Sequence, residues 1–155
     1  MILCLDASLS CTGYAIFDEK GNLKDKGIID TKFIKIKDSE IHSQKLLYIF
    51  NVLNKLEKEY NFDKVIIERS FVKFNKATKA IQKTLGVIEL LFNKKDIMLI
   101  SPQSTKSFLC NKNADKEDMI KAINFLYDLD LSLKKKEDNI ADAIALGHYY
   151  FNKEK

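Results

Sequence analysis

A chain of 155 residues that is 46% hydrophobic, 31% charged and +4 in net charge has the makeup of one folded domain over residues 1–155, and excludes a disordered polymer. Three cysteines without metal-type spacing exclude a zinc ribbon, and no apolar run reaches the roughly 20 residues needed to cross a bilayer. The opening Met1–Asp6 meets a carboxylate too early for a signal peptide, so the expectation is a cytoplasmic protein with reduced thiols and no membrane partner.

Residues 2–6 form an apolar run ending in Asp6, and Gly13-Tyr-Ala-Ile-Phe17 is a second. Asp18 to Asn22 supplies turn residues, and Gly27-Ile-Ile-Asp-Thr31 reads as a third strand, which predicts an antiparallel meander. From Ser39 to about Tyr60, apolar residues Ile41, Leu46, Ile49, Phe50, Leu53 and Leu56 recur at helical spacing. Lys64-Val-Ile-Ile-Glu68 reads as a short buried strand that again ends in a carboxylate. A helix from about Asn75 to Asn93 follows, then a strand Asp96–Ile100 stopped by Ser101-Pro102. Two helices close the chain, one starting near Asp115 and the last running from about Asp138 to Phe151. The order β-β-β-α-β-α-β-α-α predicts an α/β fold: a mixed sheet, in which a three-stranded antiparallel meander adjoins parallel strands, flanked by helices.

In open sheets with crossover helices, ligands bind beyond the carboxyl ends of the strands. Asp6 and Glu68 both stand at such ends and converge if their strands are parallel neighbours; the plainer alternative is that each caps a turn. Asp138 and Asp142 are four apart, on one face of a helix, where like charges repel. Asp142 interrupts an Ile-Ala-Asp-Ala-Ile-Ala-Leu run, where a carboxylate is costly to bury without a cation, whereas Asp138 also suits helix capping. An oxygen-only set favours Mg²⁺, or Mn²⁺ in its place, over zinc. Such ions serve phosphodiester hydrolysis. Lys73, Lys76, Lys79 and Lys83 fall three or four apart on one predicted helix, a row that fits either nucleic-acid phosphates or ordinary solvation.

Several segments together resemble the RuvC family of Holliday junction resolvases, particularly its small phage-type members. They are the opening Ile2–Ile16 with its Asp loop and Thr-Gly-Tyr turn, Val65-Ile-Ile-Glu-Arg-Ser-Phe71, Ser101-Pro-Gln-Ser-Thr-Lys106, Ala114-Asp-Lys116 and Asn139-Ile-Ala-Asp-Ala-Ile-Ala145. The resemblance implies an RNase H-like fold, a homodimer, and Mg²⁺-dependent symmetric nicking of four-way or other branched DNA. It implies that Asp6, Glu68 and Asp142 hold metal and that Phe71 stacks at the junction centre. It likewise implies that Lys106 and Lys116 face the scissile phosphate, with Lys73 and Lys76 as further DNA contacts. Three residues before the last Asp, where the family usually has a ligand, this chain has Asn139, so Asp138 is the favoured fourth ligand and an Asn139 oxygen the alternative. The segment between Lys106 and Lys116 lacks the family's Gly-x-Gly. Competing readings are an RNA-precursor-processing nuclease of the same fold and a junction-binding protein that does not cut. A sugar-kinase-like ATP-binding domain would need a second domain.

Overall fold

The computed structural model describes residues 1–35, 42–69, 76–135 and 137–154. Five strands form one sheet in the order β3-β2-β1-β4-β5: β1 is Ile2–Asp6, β2 Cys11–Phe17, β3 Leu23–Asp30, β4 Lys64–Glu68 and β5 Asp96–Ile100. The pairs β1–β2 and β2–β3 are antiparallel, whereas β1–β4 and β4–β5 are parallel. The predicted meander beside parallel strands is therefore the observed sheet, here with five α-helices among the described residues: α1 Ser43–Tyr60, α2 Lys76–Leu91, α3 Pro102–Leu109, α4 Lys116–Tyr127 and α5 Asp138–Tyr149.

Alternation along the strands divides the core between the two faces of the sheet. Ile2, Cys4, Ala15, Phe17 and Ile66 point to one face, into a cluster with Met119, Ile120 and Ile123 of α4 and Ile140, Ala141 and Ile144 of α5. Leu3, Leu5, Ile16, Val65 and Ile67 point to the other, against Ile49, Leu53 and Leu56 of α1 and Ile88 of α2. With both faces covered, the central strands β1 and β4 are apolar on successive residues, as parallel strands are in such layers. Gly147 lets α5 settle on β2, because a methyl group there would strike the Phe17 ring.

Several boundaries differ from the sequence reading, among them β2, which starts at Cys11 rather than Gly13, and α1, which starts at Ser43 rather than Ser39. Ser101-Pro102 starts a helix rather than only stopping a strand. The Ser101 hydroxyl accepts from the Ser104 amide at 3.1 Å, and Pro102 occupies the first turn, where its missing N–H costs nothing. The third strand begins four residues early, at Leu23. Lys24, Asp25 and Lys26 extend it along the outer edge of the sheet, where polar side chains meet water. Among the described residues no helix is long and apolar enough to cross a membrane.

Candidate active site

The parallel register sets Leu5 beside Ile67, so the residues that follow, Asp6 and Glu68, leave the sheet side by side at its carboxyl end. Helix α5 passes over this end and presents Asp142 one turn after Asp138. Its first turn packs on β2 at Gly13, the residue opposite Asp6 in the β1–β2 ladder. Three elements distant in sequence thus bring their carboxylates into one crevice, each keeping part of its surface in solvent.

The charges of these carboxylates act on one another. Asp6 is pushed from 3.8 up to about 8, first by burial and then by repulsion from Glu68 and Asp142; Lys116 opposes this and Asp138 adds to it. Glu68 rises from 4.5 to about 7, through burial and then Asp142, with Lys106 pulling the other way. Asp142 rises from 3.8 to about 6 through burial, which Lys116 and Lys106 offset in part and Asp138 reinforces. Among the described residues, no hydrogen bond to the side chain and no ion pair contributes to any of these three shifts. Half-buried carboxylates that repel one another, with no bonded partner among the described residues, lack part of the compensation that buried charge ordinarily requires.

Two lysines act on these carboxylates, one from α3 and one from the start of α4. Asp115 caps α4 by accepting from the amides of Glu117 at 2.8 Å and Asp118 at 2.9 Å. Asp118 returns a bond from the Asp115 amide at 3.2 Å. This reciprocal box fixes Lys116 as the first residue of α4. The Lys116 ammonium donates to the Asp138 carboxylate and is held above its ordinary pKa, chiefly by that bond. Lys106, on α3, is near enough to Glu68 and Asp142 to lower both.

Asp6, Glu68, Asp138, Asp142, Lys106 and Lys116 are therefore brought together. Asp138 is the first residue of α5, with Glu137 rather than Asp138 at the N-cap. Asn139 faces elsewhere, since its amide nitrogen donates to the Cys11 carbonyl at 2.5 Å. Phe71 and Lys73 lie outside the described residues, as does the side chain of Lys76, whose backbone opens α2. Lys79 and Lys83 are exposed along that helix.

Two features were not foreseen in the sequence. One is the pairing of Lys116 with Asp138 across 22 positions, for which no local signal exists. The other is Gly13: a glycine inside a strand does signal close backbone approach, and here it admits the first turn of α5.

The donor chemistry suits a hard divalent cation: the groups are all carboxylate oxygens, and three of them repel one another with no cation bonded to them among the described residues. Among the described residues no three Asp, Glu, His or Cys side chains are placed close enough together to hold a metal ion, and Asp138 is turned to Lys116.

The family model described as crossover junction endodeoxyribonuclease RuvC matches residues 2–148. RuvC crossover junction endodeoxyribonucleases from two strains of Prochlorococcus marinus are 29% and 30% identical to this chain. The first alignment covers 99% of the chain and 97% of the relative, the second 94% and 92%. The structure of Thermus thermophilus RuvC in complex with Holliday junction substrate is similar in fold, with a TM-score of 0.76 at 14% identity, over 96% of this chain and 91% of that one. By the extent of these matches, the chain belongs to the RuvC family of crossover junction endodeoxyribonucleases.

Proposed function

We propose that this protein is a DNA endonuclease that resolves Holliday junctions, and related branched DNA, by Mg²⁺-dependent paired nicking as a homodimer. The observation that carries the reading is the meeting of Asp6, Glu68 and Asp142 at one end of the sheet, mutually repelling and without a bonded partner among the described residues, in a chain of this family.

Asp6, Glu68 and Asp142 would hold the metal, with Asp138 as the fourth carboxylate once its bond to Lys116 is exchanged. When bound, Mg²⁺ or Mn²⁺ supplies an activated water and neutralises charge at the scissile phosphate. The protein's own part is positional and electrostatic. β1 and β4 fix the directions of Asp6 and Glu68, and α5 closes Asp142 over them. Lys116 and Lys106 oppose the negative charge that develops on the phosphate. Released from Asp138, the Lys116 ammonium reaches into the same crevice, where a phosphate is an alternative partner. Phe71 stacks on an unpaired base at the junction centre, a contact of roughly 1–3 kcal/mol. Lys73 and Lys76 contact the DNA backbone beside it. Symmetric nicks call for two identical sites, hence the dimer.

Cleavage of a synthetic mobile four-way junction, set against linear duplex and structured RNA, tests the assignment. Nicks in opposed strands of the junction, dependent on the divalent ion, are expected. Preferential cutting of the RNA would move the protein to the RNA-processing branch of the fold, and metal-independent binding without nicks would leave a junction-binding protein.

A further inference from the structure

The carboxylates of α5 are only as well placed as the helix that carries them, and the N-cap does not secure its start. Glu137, at that position, makes no cap bond, and its carboxylate accepts instead from the Ser132 amide at 2.9 Å. Besides the Lys116–Asp138 bond, this end is held by a double contact with β2. The Asn139 amide nitrogen donates to the Cys11 carbonyl at 2.5 Å, joining residues 128 positions apart. The same carbonyl accepts from the Ser8 hydroxyl at 2.8 Å, and Ser8 Oγ accepts in return from the Cys11 amide at 3.0 Å. Both lone pairs of that carbonyl are therefore engaged, one by the loop after β1 and one by α5.

The second contact is through backbone. Gly13 lies opposite Asp6 in the sheet, and a methyl group on Gly13 would land on the Asn139 carbonyl. Asn139 is thus fastened to β2 by its side chain at Cys11 and seated by its backbone at Gly13. It sits between Asp138, bonded to Lys116, and Asp142, which acts on Asp6 and Glu68.

We infer that Asn139 is a positioning residue whose amide clamps the first turn of α5 to β2 and so sets the separation of Asp142 from Asp6 and Glu68. The inference rests on reading those carboxylates as the metal holders. It makes the amide nitrogen, a donor, the working atom of Asn139, and not its oxygen. An Asp at this position cannot donate when ionised, and it would set a carboxylate against a carbonyl oxygen already bonded to Ser8. An Ala only removes the donor and leaves the helix intact.

The test compares the wild-type protein with Asn139→Ala and Asn139→Asp. Three quantities are measured: Mn²⁺ affinity by calorimetry, metal-free affinity for a four-way junction, and the single-turnover nicking rate at saturating Mn²⁺. All are taken well below the unfolding temperature of each protein. Residues that orient metal ligands typically carry about 10–100-fold in affinity or activity. Asn139→Ala is expected to weaken Mn²⁺ binding and slow nicking by about tenfold, and Asn139→Asp by more. Junction affinity without metal should remain within about threefold for both, since neither change touches the DNA-facing lysines.

Wild-type Mn²⁺ affinity and nicking rate in Asn139→Ala, with only the unfolding temperature lowered, would overturn the inference by making the residue merely structural. Tighter Mn²⁺ binding or faster nicking by Asn139→Asp would overturn it by making position 139 a ligand site. A wild-type protein that binds no Mn²⁺ would remove the metal reading and this inference together, a result distinct from both.

Discussion

Replacing Asp6 with Asn should stabilise the metal-free protein, and increasingly so as pH rises from about 4 to 8. Asp6 is raised from 3.8 to about 8 because burial and the charges of Glu68 and Asp142 disfavour its ionised form. A carboxyl group raised on folding contributes stability that is complete below the unfolded value, near pH 4. That contribution is lost as pH climbs through the folded value, near 8. Each tenfold change in ionisation constant is 1.36 kcal/mol, so a rise from 3.8 to about 8 sets a ceiling of about 5 kcal/mol at pH 8. Water at the mouth of the crevice and side-chain relaxation leave roughly 1–2 kcal/mol of that. For a chain of this size such a gain lifts the unfolding midpoint by about 2–8 °C. The assay is thermal unfolding of both proteins in a chelator at pH 4.5 and pH 8. Asp6→Asn should match the wild type at the lower pH and exceed it at the higher. An equal or lower midpoint at pH 8, or the same offset at both, would refute the claim that burial and the neighbouring carboxylates disfavour ionised Asp6.

Metal affinity should itself rise with pH. Asp142, Glu68 and Asp6 titrate near 6, 7 and 8 and must lose protons to ligate. Calorimetry should find Mn²⁺ bound at least about tenfold more tightly at pH 8 than at pH 6, and a flat profile would count against the site. Lys116→Ala, which removes the cation bonded to Asp138, is expected to slow nicking by about 100-fold while junction binding persists. Undiminished nicking would leave that lysine a surface charge. Gly13→Ala forces a methyl group into the Asn139 backbone. It should cost about 1–3 kcal/mol in urea unfolding and reduce nicking as well; unchanged stability would mean the helix yields without cost.

The strand-end carboxylates were legible because the pattern that makes β1 and β4 buried also makes a terminal Asp or Glu conspicuous. The faces of α1 could likewise be read from the spacing of Ile49, Leu53 and Leu56. Helix α3 was not legible, since Ser-Pro ends a strand as readily as it begins a helix; the bond between Ser101 and Ser104 decides the matter. The start of β3 was hidden because Lys24 to Lys26 belong to an edge strand, whose polar residues carry no apolar strand pattern. The fourth carboxylate turned on contacts that spacing does not encode. Cys11 engages the Asn139 amide from 128 positions away, and Lys116 selects Asp138. Asp138 and Asn139, adjacent in sequence, thus face different partners.

The most direct test of the account is nick mapping on all four strands of a mobile junction in Mg²⁺, with wild-type protein, Asp6→Asn and Glu68→Gln. The wild type should nick opposed strands at symmetric positions, and both variants should bind the junction without cutting it. Cleavage by either variant at the wild-type rate would contradict the assignment of the strand-end carboxylates as the catalytic centre.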